Sequence, residues 1–219
     1  MSEGGSSFIR ELEAFQAERL SPILGAGRTS IAEHVPADAA RMLQIALANE
    51  IGVSELAAAW MPTTPEISVK LAFARQAGDE AGHFQLVADR LVELGFDVAS
   101  FVPPAQSPLF QYLRSLGSTV ERLAAGMFTL EAIAWGVNEN FMAFCAQRGD
   151  GETVRIYREY IQPDERAHQE IGRRLLDQHA TGPEQQRAAR EAVARVLEIA
   201  AAARAKAAEQ LGAACFPGC

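Results

Sequence analysis

Two short motifs, Glu80-Ala-Gly-His83 and Glu165-Arg-Ala-His168, could do chemistry in a chain that contains only four histidines. Each motif places a glutamate three residues before a histidine. A helix turns once in about 3.6 residues, so the two side chains share one face and can direct a carboxylate oxygen and an imidazole nitrogen at one point. A single motif of this kind offers two ligands to one metal ion. Two such motifs predict a site for a pair of metal ions.

Two further glutamates lie in apolar surroundings on the preceding helix-like segments. Glu50 falls within an apolar stripe, and Glu131 is the only charged residue between positions 123 and 137. Trp135 follows Glu131 by about one helical turn, so we expect it to share the inward face. An ionised carboxylate without a partner is very unfavourable in a protein interior, so each glutamate must be paired, protonated or bound to metal.

The two halves of the chain repeat this arrangement. Glu50 precedes Glu80 by 30 residues, and Glu131 precedes Glu165 by 34. Each half is therefore a helix with one candidate glutamate followed by a helix with Glu-x-x-His. The alternative to a metal site is an extensive hydrogen-bond network that joins four buried carboxylates and two imidazoles.

Residues beside the motifs suit supporting roles. Asp79 and Asp164 immediately precede the motif glutamates and so point about 100° away around the helix. Each can accept the distal ring N–H of a ligand histidine and fix its tautomer, whereas an ordinary solvated aspartate is the alternative. Pro163 removes a backbone hydrogen bond two residues before Glu165, so we expect a bend or bulge there. Tyr157 lies close to the helical face that carries Glu165, and for this side chain a packing role is favoured over a redox role.

The elements that must position these residues are helices. The composition is Ala-rich, with 48% hydrophobic and 7% aromatic residues, and β-branched residues do not alternate in runs. This favours helix over sheet, and 219 residues suit one compact domain. The apolar pattern and its breaks predict helical segments at 8–24, 37–60, 63–94, 109–116, 119–147, 152–179 and 183–211.

The termini of the long helices carry recognisable signals. Thr63-Thr64-Pro65-Glu66 is predicted to begin one helix with a capping threonine and proline in the first turn, and Gly95 is predicted to end it. Ser118 is predicted to cap the next. The result is an all-α four-helix bundle of two helical hairpins with a fifth C-terminal flanking helix. Residues 1–35 form an N-terminal leader helix and loop, 36–212 the bundle and 213–219 a tail.

Bulk properties exclude several function classes. The net charge of −8 argues against binding nucleic acid or an anionic membrane. No stretch approaches the roughly 20 apolar residues of a membrane span, and the polar start lacks signal-peptide regions, so we expect a cytoplasmic protein. Cys145 is expected to be a buried thiol. Cys215 and Cys219 form either inert thiols or a redox pair in the tail.

Four carboxylates and two imidazoles form a set of hard oxygen and borderline nitrogen donors without thiolate, which favours iron or manganese over structural zinc. Over residues 36–179 the chain resembles the ferritin-like di-iron carboxylate superfamily, with all six ligand positions matched. The resemblance implies a ferritin-like bundle and a pair of iron ions, or alternatively two manganese ions or a mixed pair. It also implies bridging roles for Glu80 and Glu165, terminal roles for Glu50 and Glu131, and one metal each for His83 and His168.

A local resemblance suggests a reaction. Asp-Glu-Ala-Gly-His at 79–83, followed by a helix end similar to Leu-Val-x-x-Leu-Gly, resembles the catalytic subunit of bacterial phenylacetyl-coenzyme A epoxidase and related small bacterial oxygenases. This chain is shorter than those subunits. A tRNA hydroxylase of the superfamily has a similar ligand set, but the acidic balance disfavours that substrate. The prediction is a di-iron monooxygenase or hydroxylase that uses dioxygen and a small organic substrate.

Other reactions use the same ligand set. Since no nucleotide-binding or iron–sulfur motif is present, the oxygenase prediction requires a separate reductase as electron donor. The alternatives are a peroxide-consuming protein, either a rubrerythrin-like peroxidase or a manganese catalase, and a non-catalytic metal-binding partner subunit. The paired Cys-x-x-Cys motifs of a rubredoxin module are missing. A ferritin-type storage shell has one fewer histidine at its centre, and a homodimer is left open.

Overall fold

The computed structural model describes residues 6–25, 39–104 and 107–211, with side chains described through residue 206. Within these ranges the chain is all-helical and has no strand, as predicted. The α-helices are α1 (Ser7–Gly25), α2 (Ala39–Thr63), α3 (Ile67–Glu93), α4 (Pro108–Ser115), α5 (Thr119–Leu123), α6 (Glu131–Gln147), α7 (Gly151–Ile156), α8 (Gln162–His179) and α9 (Pro183–Leu211). A 3₁₀ turn lies at Val98–Ser100.

Two π-helical segments join shorter α-helices into longer continuous helices. The segment π1 (Ala124–Leu130) joins α5 to α6, and π2 (Tyr157–Ile161) joins α7 to α8. We call α2 and α3 the first and second long helices, α5–π1–α6 the third, and α7–π2–α8 the fourth. The first packs along the second, the third packs against the fourth, and α3 also contacts α8. The helix pair predicted for each half of the sequence is therefore present.

The outer helices pack against the third long helix. Helix α9 contacts α5 and π1, while α1 contacts α9, α6 and α8. The predicted leader helix at 8–24 and flanking helix at 183–211 are thus both observed, at nearly the expected bounds. Together the helices form a bundle.

Most predicted helix ends are observed. The Ser118 hydroxyl accepts from the Glu121 N–H at 3.3 Å, while the Glu121 carboxylate accepts from the Ser118 N–H at 3.0 Å. This reciprocal pair caps α5. After α3 and α6 the chain reverses at Gly95 (φ 85°) and Gly149 (φ 78°), in the left-handed region that glycine adopts without a Cβ penalty.

The predicted threonine cap of α3 is wrong. Glu66 occupies the N-cap position, and its side chain makes no capping hydrogen bond. The hydroxyls of Thr63 and Thr64 instead donate to the carbonyl of Trp60, at 3.2 and 2.8 Å. The last carbonyls of a helix lack intrahelical partners, so these threonines complete the end of α2 rather than the start of α3.

The apolar core has two clusters, and each of the four long helices passes from one to the other. Along α2, Leu47 belongs to one cluster and Val53 to the other; along α3, Val87 and Phe73 do the same. The candidate metal residues lie at the boundary. One prediction about this region is wrong: Trp135 is 41% exposed rather than inward-facing.

Several predictions fall at the limits of the described ranges. The loop at 25–35, apart from Gly25, and the tail with Cys215 and Cys219 lie outside them, and the three-part domain division stays a prediction. Cys145 is buried as expected, and burial raises the pKa of its thiol to about 12. Among the described helices, none combines the length and hydropathy needed to traverse a bilayer.

Candidate metal centre

The six residues predicted as ligands come together in the bundle, and none of them is more than 3% exposed. They form two overlapping groups, in each of which one potential ligand atom per residue lies within 4.8 Å of the others. The first group is Glu50, Glu80, His83 and Glu165, and the second is Glu80, Glu131, Glu165 and His168. Glu80 and Glu165 belong to both groups, so the two candidate cation positions share two carboxylates.

The carboxylate of Glu80 illustrates this sharing. Its Oε2 lies 3.4 Å from Nδ1 of His83, and its Oε1 lies 3.3 Å from Nδ1 of His168. The two oxygens therefore face different imidazoles. Nδ1 of His83 also lies 3.5 Å from Oε2 of Glu50, and Nδ1 of His168 lies 3.7 Å from Oε1 of Glu131.

The two aspartates hold the histidines in a crosswise arrangement. Nε2 of His83 lies 3.3 Å from Oδ2 of Asp164, and Nε2 of His168 lies 3.0 Å from Oδ2 of Asp79. Each Glu-x-x-His motif thus supplies the aspartate that supports the histidine of the other motif. A proton on Nε2 that is donated to a carboxylate leaves the Nδ1 lone pair directed into the cluster, which is the tautomer that a metal ligand needs.

The donor set fits metal ions because it contains polar atoms that the protein leaves unsatisfied. Among the described residues, five cluster atoms are buried without a hydrogen-bond partner: His83 Nδ1, His168 Nδ1, Glu80 Oε1, Glu131 Oε2 and Glu165 Oε2. Native interiors rarely leave such groups unpaired, since each loses its hydration without compensation. Cations between the two imidazoles would satisfy all five.

Burial and the charges of neighbouring carboxylates raise the pKa values of three of the carboxyl groups. Burial raises the pKa of Glu50 to about 8. Burial also raises the pKa of Glu131, and it raises that of Glu165 well above its ordinary value; in both cases the charge of Glu80 adds to the shift. In the absence of cations these groups therefore favour their neutral, protonated forms.

The pKa values of the two imidazoles and of Glu80 shift in the direction opposite to the one that burial alone would cause. Burial lowers the pKa of a histidine, but the facing carboxylates outweigh it and raise the pKa of His83 to about 11 and that of His168 to about 9. Burial acts to raise the pKa of Glu80, yet the imidazoles of His168 and His83 that face its two oxygens hold it well below its usual range. The directions of these pKa shifts favour protonation of the cluster, and metal binding would displace such protons.

Each π-helical segment ends within four residues of a cluster glutamate. π1 ends at Leu130, immediately before Glu131, and π2 ends at Ile161, two residues before Pro163. The distortion expected at Pro163 is therefore present. π-bulges recur near functional sites, where the extra residue re-aims the side chains that follow. The Thr129 hydroxyl donates to the Ala124 carbonyl at 2.7 Å and so satisfies a backbone acceptor inside π1.

Helix α1 supports π1 from outside the four long helices. The side-chain amide of Gln16 is buried, and its Nε2 donates to the Phe128 carbonyl at 3.1 Å and to the Thr129 hydroxyl at 3.2 Å. Gly172 of α8 also approaches π1, so closely that an added Cβ would lie 2.7 Å from Cβ of Met127. The position of Glu131 is therefore held by contacts from two other helices.

The sequence prediction missed Gln76. Its buried Nε2 donates a short hydrogen bond to Oε1 of Glu131, and its own Oε1 has no partner among the described residues. Gln76 lies four residues before Glu80 and hence on the same helical face. A polar side chain on a face that otherwise carries Phe73 and Val87 was the signal that could have identified it.

Tyr157 lies in a packing position close to the cluster. Its ring is fully buried and meets the Phe141 ring edge-on, with centroids 5.2 Å apart. Its hydroxyl has no hydrogen-bond partner among the described residues. Burial raises its pKa well above the ordinary value, and the charges of Glu50 and Glu165 contribute in the same direction.

Fold and site define an all-helical bundle protein with a buried carboxylate and histidine cluster suited to metal ions. The chain belongs to the family described as "Protein of unknown function (DUF455)", whose model matches residues 37–208. The matched range contains all six cluster residues. No curated protein and no solved structure matches the chain. The family description states no activity.

Proposed function

We propose that this protein is a ferritin-like, dinuclear-metal, oxygen-dependent oxidoreductase of the di-iron monooxygenase or hydroxylase type. The observation that carries the proposal is the pair of overlapping four-residue groups that share Glu80 and Glu165. One glutamate from each of two helices, together with Glu-x-x-His from each of the other two, is the ligand pattern of carboxylate-bridged metal pairs in helical bundles.

The ligand roles follow from the two groups. In the proposed site, Glu50 and His83 would hold one ion and Glu131 and His168 the other, and the shared residues Glu80 and Glu165 would contribute to both. Four carboxylates balance the charge of two divalent cations. Oxygen and imidazole donors suit iron or manganese. Bound in reduced form, such a pair would supply two electrons to dioxygen, so that one oxygen atom enters an organic substrate and the other leaves as water, and a separate reductase would return the two electrons.

The chain's own residues prepare the site for this chemistry. Asp164 and Asp79 accept the Nε2 protons of His83 and His168, so that both Nδ1 atoms remain available as ligands. Gln76 donates to Glu131 and holds one oxygen of that carboxylate in place. The two apolar clusters on either side limit access of water, which strengthens every charge interaction at the centre.

Metal analysis tests the dinuclear site directly. Protein reconstituted with Fe(II) or Mn(II) is expected to contain about two ions per chain. Glu165→Gln is expected to lower the metal content because it neutralises a carboxylate that belongs to both groups. Glu170→Gln is the matched control, since Glu170 lies on the same helix with its carboxylate exposed. Fewer than one ion per chain in the reconstituted wild type would overturn the dinuclear proposal.

Oxygen uptake after chemical reduction tests the reaction class. We expect the reduced, iron-loaded protein to consume dioxygen and the Glu165→Gln variant to consume much less. A protein that binds two ions but consumes hydrogen peroxide rather than dioxygen would contradict the oxygenase proposal. It would instead favour a peroxidase or catalase reaction at the same centre.

A further inference from the structure

A surface cavity of about 650 Å³ lies between the third and fourth long helices. One wall is α6, the helix that begins at the cluster residue Glu131. The other wall includes Pro163 and Arg166, which flank the cluster residue Glu165 in the sequence. The cavity therefore adjoins the two helices that carry half of the proposed ligands, and its volume is typical of small-molecule sites.

Two arginines give the cavity a positive lining. Arg158 and Arg166 are exposed, and neither makes an ion pair or hydrogen bond with the residues that the structure describes. In contrast, Arg155 on the same long helix binds the carboxylates of Glu152 and Glu159. Two unpaired guanidinium groups at one cavity are suited to a carboxylate or phosphate, to which arginine donates in pairs.

A buried amide oxygen at the cavity adds a second requirement for its ligand. Gln162 is 7% exposed and lines the cavity, and its Nε2 donates to Oε1 of Glu139 at 2.7 Å and to the Trp135 carbonyl at 3.2 Å. Both partners are acceptors, so the amide cannot be rotated without losing these bonds. Its Oε1 is buried without a partner among the described residues. A ligand with an N–H or O–H group would satisfy that oxygen.

The cavity also offers an apolar surface. Trp135 is 41% exposed and lines the cavity together with Met142 and two alanines. A large, partly exposed ring is suited to contact the flat or aliphatic body of a ligand. Glu139 offsets one of the two arginine charges, and this leaves a net charge of about one positive unit on the lining, which matches a monoanion better than a dianionic phosphate.

We propose that this cavity binds a small organic monocarboxylic acid that carries an N–H or O–H donor and an apolar body. The carboxylate binds Arg158 and Arg166, the donor group binds Oε1 of Gln162, and the body packs on Trp135. The further step, that this acid is the molecule oxidised at the metal pair, rests on the proposed function. Binding itself does not, because every contact is made by residues outside the cluster.

Fluorescence titration of the metal-free protein with 3-phenyllactate tests the proposal. The probe has a carboxylate, a hydroxyl donor and a phenyl ring. Of the two tryptophans in the chain, Trp60 is 4% exposed, so Trp135 reports binding, and Trp135→Phe should remove the signal. Arg158→Gln and Arg166→Gln should each weaken binding about tenfold or more. Arg174→Gln, an exposed position on the same helix outside the cavity lining, should leave binding unchanged.

Related probes test each recognised group. 3-Phenyl-1,2-propanediol lacks the carboxylate and should bind at least about tenfold more weakly. 3-Phenylpropionate lacks the hydroxyl and should also bind more weakly to the wild type, whereas Gln162→Leu should remove that difference. Phenyl phosphate should bind less tightly than 3-phenyllactate. Tighter binding of phenyl phosphate, no saturable binding of 3-phenyllactate, or equal losses in the Arg158 and Arg174 variants would each overturn the proposal.

The two proposals fail independently. Loss of probe binding in a protein that still loads two metal ions and consumes dioxygen would remove the carboxylic acid site alone. Saturable probe binding in a protein that takes up no metal would remove the proposed oxidoreductase function and keep the binding site.

Discussion

At the scale of single residues, the crosswise hydrogen bonds are the feature that makes the two motifs one unit. Asp79 lies beside Glu80 in the sequence but contacts His168 of the other motif, and Asp164 does the same for His83. Neither half of the cluster can then form its ligand geometry without the other. This interlock explains why both aspartates precede a motif glutamate: a side chain about 100° around the helix reaches the neighbouring helix rather than the centre.

Asp79→Asn tests this support. The amide keeps the shape of the carboxylate but removes its charge, so it accepts the Nε2 proton of His168 more weakly and fixes the tautomer less well. Metal affinity is expected to fall by about 10- to 100-fold, as measured by competition with a chelator. Asp89→Asn is the control, because Asp89 is an exposed residue of α3 whose carboxylate, among the described residues, accepts a hydrogen bond only from Gln85. Equal affinities for the two variants would show that Asp79 does not orient the histidine.

At the scale of elements, the packing of α8 against π1 determines where Glu131 lies. A Cβ on Gly172 would lie 2.7 Å from Cβ of Met127 and 2.8 and 2.9 Å from backbone atoms of Met127 and Phe128. Backbone atoms cannot rotate away as a flexible side chain can. The absence of a side chain at Gly172 therefore permits the close approach that brings His168 and Glu131 into one group.

Gly172→Ala is expected to destabilise the protein by about 1–3 kcal/mol through this overpacking and to lower metal content, since it separates α8 from π1. Gly78→Ala on α3 is the matched control, because nothing lies within 4 Å of its added Cβ. Alanine should stabilise that exposed helical position by about 0.5–1 kcal/mol. Thermal unfolding and metal analysis of both variants provide the measurement. An unchanged melting temperature for Gly172→Ala would contradict the close packing.

The long helices and the inward-facing positions of the six residues could be predicted from the sequence, because both depend on local periodicity. Other features depend on contacts between distant segments. π1 has no sequence signal as strong as Pro163, and its backbone is supported by Gln16 from α1, more than 100 residues away. Trp135 lies about 40° around the helix from Glu131, which is enough to turn it from the interior to the cavity. The π1 segment and the orientation of Trp135 arise from helix packing, which leaves no local pattern in the sequence.

At the scale of the whole molecule, the cluster places a polar layer between two apolar ones. The helices are stabilised on both sides by buried hydrophobic side chains, while the layer itself contains charged groups and unpaired polar atoms. Such a layer opposes folding unless protons or cations neutralise it. Because the unfolded chain has no preformed site, metal binding at the cluster would add to the free energy of unfolding of the entire bundle.

The stability of the bundle should therefore depend on pH in opposite senses without and with metal. In the metal-free protein, Glu50 has a pKa raised to about 8 and His168 one raised to about 9, and the pKa values of Glu131 and Glu165 are raised as well. A raised pKa contributes stability at low pH that is lost as the pH rises through the raised value, so the melting temperature should fall between about pH 5 and pH 9, and the pKa of His83, raised to about 11, extends the fall above that range. The lowered pKa of Glu80 affects stability only below this window.

Metal ions compete with the same protons, so their affinity, and the gain in melting temperature on loading, should increase over the window. Thermal unfolding of both forms at constant ionic strength measures the two slopes. Glu50→Gln should flatten the metal-free profile, because it removes one titrating group and keeps a neutral side chain of the same size. Parallel profiles for the metal-free and metal-loaded protein would contradict a cluster in which protons and metal ions exchange at the same atoms.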